Sequence, residues 1–321
     1  MALNLSSIFW LCLWFFGIAF LISYFMRWYP GDNFKNVRFI NYFMPWLLIV
    51  LVPIFMFSLL NHQNWLAVIY FLSISLICMN YLPFFIKNSP VIDVNELFIK
   101  VMSYNIWSKN KNLNAATKLI KSVQPDILLL QEIGPKYFEE VRESLEDLYT
   151  DCTLYFDYAP QINQAIISRF PIEPLGMYRN KGRIQKVRIE TPFGKVVVLN
   201  IHAFKCGWLH RHKQTATLLK EDIINEKRPI ILGGDFNTSD QSQTCRMINR
   251  HLKNAHWEAG GGFGFSYPAI VVRVRGFKIL RPLIRIDHIY FSNQFNSSSA
   301  LTLNKSGGSD HFPVVADLVV N

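Results

Sequence analysis

The chain is sparing with cysteine and acid, and its first quarter is nearly empty of charge. Its five cysteines, Cys12, Cys78, Cys152, Cys206 and Cys245, form no CxxC pair and keep no regular spacing. Two fall in apolar segments, and the odd three that remain argue against a disulfide framework and for free thiols in a reducing compartment. Asp and Glu total 23 against 33 Lys and Arg, leaving a formal net charge of +10. That balance favours anionic partners such as nucleic acid, phospholipid headgroups or phosphorylated small molecules, without choosing among them. No internal repeat and no low-complexity tract is present, which removes repeat architectures.

What fills the charge-poor region is apolar. Half of the 321 residues are hydrophobic, 50%, with a mean hydropathy of +0.16, and the excess lies in residues 1–88. The composition turns ordinary after that, so a membrane anchor is expected over 1–88, a linker over 89–96 and a globular domain over 97–321. Three stretches, Leu5–Met26, Ile40–Leu60 and Trp65–Ile86, carry no Lys, Arg, Asp or Glu. Each approaches the ~20 residues that cross a ~30 Å hydrocarbon core, and Trp28, Tyr29, Trp65 and Tyr81 stand where interfacial aromatics collect. A cleaved signal peptide fits the first stretch poorly, because it lacks a basic start, runs too long and is followed by further apolar segments. Arg27, Lys35 and Arg38 lie between the first two stretches, whereas the Asn61–Asn64 turn has no Lys or Arg. The positive-inside rule then places that loop, and with three spans the C-terminal domain, in the cytoplasm. The expectation is an integral membrane protein whose C-terminal domain is cytoplasmic, with no protein partner predicted.

From Leu97 onward strand-like and helix-like runs alternate. Strands are expected at Phe98–Tyr104, Ile127–Gln131, Gln164–Ser168, Lys186–Glu190, Val196–His202, Ile230–Gly233, Ile286–Phe291 and Val314–Leu318. Helices are expected at Leu113–Val123, Lys136–Leu148, Trp208–Asn225 and Gln241–Leu252. Polar residues cluster where the strands end: Asn105, Glu132, His202, Asp235 and Asn237. Any one alone would more often be a cap or turn residue, and Asp235 with Asn237 could form an Asx turn before the Gln241 helix. Five such placements point instead to one rim of a sheet, where sites in α/β folds form.

In order, the candidate motifs are Asn105, Gln131-Glu132, Asn200-Ile-His202, Gly234-Asp-Phe-Asn237, Ile286-Asp-His288 and Ser309-Asp-His-Phe-Pro313. This series resembles the endonuclease/exonuclease/phosphatase (deoxyribonuclease-I-like) superfamily over about Leu97 to Asn321. The N-terminal spans look like those of its membrane-tethered bacterial members, which implies a bacterial inner membrane. The resemblance implies a four-layer α/β/β/α sandwich behind three transmembrane helices. It also implies a divalent-metal-dependent phosphoric ester hydrolase using Mg²⁺ or Mn²⁺, with water attacking phosphorus in line. Glu132 is a hard carboxylate suited to such a metal, with Asn105 as neutral ligand or orienter and Asp310 as a further metal residue implied by the family. Asp235 and Asn237 would manage the attacking water and the phosphate. His202 and His311 would serve as phosphate-binding and acid/base imidazoles, and Asp287 would fix the tautomer of His311. His288 is read as structural, because neighbouring strand residues point to opposite faces.

Some positions depart from the family pattern. The usual glycine before Ala165 is absent, and Tyr155 or Tyr158 are the available positions for a tyrosine that some nucleases use. Arg285-Ile-Asp-His288 differs from the Trp-Cys-Asp-Arg of inositol-polyphosphate 5-phosphatases. Two basic stretches are expected to border the site: Arg179 to Arg183 with Lys186 and Arg188, and Arg273 to Arg285. The cluster Trp208-Leu-His-Arg-His212 is similarly ambiguous. Such segments could track nucleic acid, lie on an anionic membrane or remain solvated. The expected substrate is therefore a phosphodiester, either nucleic acid or of phospholipid type. A phosphomonoester, or a non-catalytic scaffold of the same fold, is the alternative.

Overall fold

The computed structural model describes residues 4–29, 31–86, 97–147, 149, 152–178, 183–205, 208–274, 277–279 and 282–320. They divide into two compact units, one comprising Met1–Ile86 with Gln241–Gln243 and the other comprising Lys87–Asp240 and Thr244–Asn321.

Apolar helices make up the first unit. Leu5–Phe25, Lys35–Leu60 and Asn64–Tyr81 are long and apolar enough to cross a membrane, with mean hydropathies of 2.2, 2.4 and 1.4. Small residues and internal hydrogen bonds let them pack without a watery core. A Cβ on Gly17 would meet Ile69 Cγ2 at 2.8 Å, so glycine there permits a close helix approach. The Tyr70 hydroxyl donates to Leu13 O at 2.8 Å, and Ser58 and Ser73 return their hydroxyls to Ile54 O and Ile69 O. Phe15, Ile49 and Phe71 remain exposed. The middle helix begins at Lys35 and tightens to a 3₁₀ turn over Met44–Leu47. The third ends at Tyr81, ahead of a separate short helix, Pro83–Ile86.

Period-two alternation organises the second unit. Its strands are β1 (Phe98–Asn105), β2 (Ile127–Gln131), β3 (Tyr155–Ala159), β4 (Gln164–Ser168), β5 (Ile172–Tyr178), β6 (Ile184–Thr191) and β7 (Gly194–His202). They continue with β8 (Ile230–Asp235), β9 (Lys253–Asn254), β10 (Val272–Val274), β11 (Phe277–Ile279), β12 (Asp287–Phe291), β13 (Phe295–Thr302) and β14 (Val314–Val320). One sheet has the order β13-β14-β1-β2-β4-β3, the other β5-β6-β7-β8-β12-β9, and β10 pairs with β11. Ile99, Val101, Ile127 and Leu129 of the first sheet share a buried cluster with Val187, Val196, Val198, Ile231 and Ile289 of the second. The intervening residues Met102, Tyr104, Leu128 and Leu130 face the opposite way and pack with Ala116, Ile120, Phe138 and Val141. Those four come from the helices Leu113–Val123 and Pro135–Glu146. On the second sheet Val197, Leu199, Ile201 and Leu232 pack with Leu218, Leu219 and Ile223. Three apolar layers thus separate four structural ones, α/β/β/α. Each fully buried aliphatic side chain contributes about 1.5–3 kcal/mol.

Register brings the candidate residues to one edge. β1 and β2 run parallel with Asn105 opposite Gln131, and β7 and β8 run parallel with His202 opposite Asp235. The antiparallel strand β12 starts where β8 ends, so Asp287 faces Asp235. Beneath that edge the sheets are tied by buried amides. Gln131 Nε2 donates to Asn200 Oδ1 at 2.8 Å, and Asn200 Nδ2 donates to Leu130 O at 2.9 Å and Ala165 O at 3.1 Å. Gln164 stands where the resemblance leads one to expect glycine, and its Nε2 donates to Asn200 O at 3.0 Å. The departure therefore adds a strut between the sheets.

Several elements differ from the sequence reading. The Gln241–Leu252 helix is confined to Gln243–Ile248, and the helix from Trp208 changes at Leu219 into a π turn ending at Ile223. Strands β3, β5, β9, β10, β11 and β13 were not anticipated. β9 has two residues, too few for alternation to show, and the serines of β13 give no apolar period.

Candidate active site

Each strand end delivers one polar group, and the groups converge on Asp235. Gly234 has φ +146°, and a Cβ built on it would lie 1.9 Å from Ile201 O. Only glycine lets β8 approach β7 this closely and still present Asp235. Gly234→Ala is accordingly expected to lose at least about 3 kcal/mol through strain and overlap. A thermal melt of the full chain checks this, and a shift under about 3 °C would contradict the close approach.

Asp235 is fully buried. Its Oδ2 accepts from Asn105 Nδ2 at 3.0 Å, and its Oδ1 accepts from Asn237 N at 2.8 Å. The Nε2 atoms of His202 and His311 each stand 3.7 Å from Oδ2. Burial pushes the Asp235 carboxyl up and Asp287 adds to this, against His311 and His202. Asn237 adopts φ 49° and donates through Nδ2 to Ala203 O at 2.8 Å, which fixes the turn after β8 against the end of β7.

His311 and Asp287 form a closed pair. His311 Nδ1 lies 2.9 Å from Asp287 Oδ2, which assigns the Nδ1 proton to that bond and aims Nε2 at Asp235. Burial opposes the imidazolium, but the Asp287 and Asp235 charges outweigh it and raise His311 to about 9. Ser309 Oγ donates to Asn105 O at 2.6 Å and accepts from His311 N at 3.0 Å, tying the near-terminal motif to β1. The Tyr267 ring lies 4.9 Å from the His311 ring.

Glu132 follows β2 with φ 57°, a left-handed conformation uncommon outside glycine and typical of held functional residues. Its Oε2 accepts from Ser108 N at 3.2 Å and Ser108 Oγ at 3.1 Å. Its Oε1 accepts from Lys205 Nζ at 3.1 Å and Asn105 Nδ2 at 3.3 Å, with His202 Nε2 at 3.6 Å. Burial pushes this carboxyl up, but His202, Lys205 and the Ser108 N–H together hold it at about 2. Burial keeps His202 itself below its ordinary value despite Asp235 and Glu132, and Lys205 is the cation in hydrogen-bond contact with Glu132. Asn105 turns its Nδ2 to Glu132 and Asp235 while its Oδ1 accepts from Trp107 N at 2.9 Å, the arrangement of an orienter.

The profile of the Endonuclease/Exonuclease/phosphatase family matches residues 102–311. The chain belongs to this family. Members of the family are in general phosphoester hydrolases, and they typically use divalent metal ions. Among solved structures, a family protein from Bacteroides thetaiotaomicron is similar at 16% identity, covering 71% of this chain and 99% of that one with a TM-score of 0.56. The mannosyl-6-phosphatase of the same organism is similar at 17% identity over 69% and 99%, with a TM-score of 0.55. Truncated TDP2 from Caenorhabditis elegans is similar at 22% identity over 70% and 98%, with a TM-score of 0.53. At these identities the likeness is one of fold. No curated protein matches the chain.

The family's divalent metal suits this donor set. Asp310 Oδ1 is buried with no hydrogen-bond partner among the described residues. Burial pushes the Asp310 carboxyl up to about 6, with Glu132 and Asp235 adding to the effect against His311 and Lys205. Asp310 Oδ1, with His311 Nε2 at 3.9 Å and other carboxylates nearby, is the hard, anionic kind of oxygen that Mg²⁺ and Mn²⁺ take. Asp235, Asp287 and His311 also group their ligand atoms within 4.8 Å, but the Asp287–His311 hydrogen bond engages two of them with each other.

The structure also separates bystanders from participants. Tyr158 stacks on Phe138 at 4.2 Å and its hydroxyl donates to Ile133 O at 3.4 Å, so it belongs to the helix-side core. His288 is buried between Phe236 and Tyr290, as the strand alternation required. Of the basic stretches, Lys186 pairs with Asp222 at 2.9 Å, Arg188 with Glu173, and Arg285 with Asp240 at 2.6 Å. These three are therefore neutralised by ion pairs. Arg179, Lys181, Arg275 and Arg281 lie outside the described residues. Arg183 stands with Nη1 3.4 Å from His202 Nδ1. Lys205, Ser108 and Tyr267 were not singled out from sequence. Lys205 follows His202 by three residues, the one local signal that could have found it.

Proposed function

We propose that this protein is a membrane-anchored, divalent-metal-dependent phosphodiesterase. The observation that carries the reading is the convergence of Asn105, His202 and His311 on the buried Asp235, with Glu132 3.3 Å from Asn105 Nδ2 and 3.6 Å from His202 Nε2. Hydrolysis of a phosphate ester needs a base for water, cations or donors for the phosphoryl oxygens, and a proton for the leaving oxygen. Glu132 and Asp310 would hold the metal, whose charge neutralises phosphoryl oxygens when bound. Asp235, its carboxyl raised by burial, accepts the proton of the attacking water, which Asn237 helps to orient. His202 donates to a phosphoryl oxygen. The His311 imidazolium, held by Asp287, stabilises charge on the leaving oxygen and can protonate it.

Beside Glu132 and His202 lies a recess of about 250 Å³ lined by Ser108, Ile162, Asn163, Arg183 and Lys205. Two cations at its wall suit an anionic ester. They also favour a second reading, a phosphomonoesterase, because a monoester dianion carries one more charge than a diester. The three apolar helices keep the site near a bilayer, which supports a phospholipid-type diester alongside nucleic acid.

The test uses the full chain in nanodiscs, with Mg²⁺, Mn²⁺ or EDTA. Bis-p-nitrophenyl phosphate, p-nitrophenyl phosphate, single-stranded DNA, RNA and phospholipid vesicles serve as substrates. Metal-dependent turnover is expected, faster on the diesters. Glu132→Gln should raise the metal concentration for half-maximal rate ~10–100-fold. Turnover that persists in EDTA, or a folded metal-loaded protein inert on every ester, would remove the reading.

A further inference from the structure

Lys205 occupies a position that a metal-binding carboxylate cannot share. Its ammonium touches Glu132 Oε1 at 3.1 Å, and Asn105 Nδ2 and His202 Nε2 crowd the same oxygen from other sides. The second oxygen, Oε2, already accepts twice from Ser108. A divalent cation entering at Oε1 would meet the ammonium at close range, and like charges in a partly desolvated recess repel strongly. One of the two must leave.

The construction of this segment lets the side chain move while the backbone stays. Arg211 is buried, and its Nη1 donates to Lys205 O at 3.0 Å and to Phe204 O at 3.2 Å. Gln214 Oε1 accepts from Phe204 N at 3.4 Å. Two residues of the following helix thus clamp the chain just beyond β7. The Lys205 side chain, by contrast, is 56% exposed, a flexible stem with its tip in the open part of the recess. Lys205 lines two cavities at once. One is the recess beside Glu132 and His202, and the other is a neighbouring space of about 500 Å³ walled by Arg183, Phe204 and His210. A tip released from Glu132 stays between them, on the same wall as Arg183.

We propose that Lys205 is a further substrate-binding residue that exchanges partners: it pairs with Glu132 while that carboxylate is metal-free, and it binds an anionic oxygen of the phosphate ester once the metal displaces it. The proposal rests on the hydrolase reading for the second partner, an anionic phosphoryl oxygen. The first partner is the observed contact. Metal and phosphate binding are coupled in this arrangement. Lys205 weakens the metal when phosphate is absent and strengthens the hold on phosphate when the metal is present.

The test uses full-length wild type, Lys205→Met and Lys205→Arg in nanodiscs, with inorganic phosphate as the probe. Mn²⁺ affinity is measured by electron paramagnetic resonance without phosphate, and phosphate affinity by calorimetry at saturating Mn²⁺. Lys205→Met is expected to bind Mn²⁺ ~10-fold more tightly and phosphate ~10-fold more weakly, the scale of one charge-assisted contact. Lys205→Arg is expected to recover most of the phosphate affinity. Unchanged or weaker Mn²⁺ binding in Lys205→Met overturns the exchange, as does unchanged phosphate binding. Neither measurement uses turnover, so an inactive wild type would count against the hydrolase reading, and these two titrations alone decide the role of Lys205.

Discussion

Replacing Asp235 with asparagine is expected to lower turnover ~10³–10⁴-fold while the protein remains folded. The size follows from how completely the carboxylate is committed. It is fully buried, accepts from Asn105 and Asn237 and faces two imidazoles at 3.7 Å. Asparagine has the same shape and retains one oxygen, so the turn built by Asn237 on Ala203 O survives. What is lost is the negative charge and with it the capacity to take a proton from water. The same charge helps to raise His311, so its removal also weakens the acid. The check is kcat on bis-p-nitrophenyl phosphate beside a thermal melt. An enzyme within tenfold of wild type would mean that the base lies elsewhere, whereas a collapsed melting transition would assign Asp235 to the fold.

The parts of this site that could be read from the sequence are those that follow from strand ends. β1, β2, β7 and β8 announce themselves by short, largely apolar runs, and the polar residue closing each run, Asn105, Glu132, His202 or Asp235, inherits its place from parallel pairing. Asp287 and His311 needed the family resemblance, because nothing local in Ile286-Asp-His288 distinguishes the residue facing the site from the one facing the core. Contacts that depend on a side chain crossing between elements were not legible. Lys205 reaches Glu132 across 73 positions of sequence, and the partners that neutralise Lys186, Arg188 and Arg285 lie 36, 15 and 45 positions away. Basic clusters counted from sequence therefore overstate the positive surface near the site. The edge strands β3, β5 and β13 escaped for a different reason: β3 is mostly half-buried, β5 carries Pro174 and Gly176, and β13 is serine-rich, so no apolar period shows. Gln164 shows the converse, a departure from the family pattern that turns out to be a strut between the sheets.

Asp287→Asn should lower kcat at pH 8 by ~10²–10⁴-fold, and should also move the pH dependence. In the wild type, His311 is raised to about 9 because the Asp287 and Asp235 charges outweigh burial. The imidazolium therefore persists through neutral pH, and activity that needs it falls as pH rises through about 9. The stabilisation from the pair has the same sign. It is fully present below the ordinary imidazole value of 6.5 and lost as pH rises through about 9. Asparagine removes the main attractive charge and leaves burial, which favours the neutral ring. The alkaline limb should then retreat by at least about one pH unit, since loss of a charge-assisted hydrogen bond is worth about that much. The neutral side chain also ceases to dictate which nitrogen of His311 carries the proton, so part of the loss persists even at low pH. Rate profiles from pH 5.5 to 10 under saturating metal separate the effects. A limb that stays near pH 9 in Asp287→Asn would show that another group sets it. A limb that moves with no loss of kcat at its new optimum would confine Asp287 to charge and deny it the orienting role.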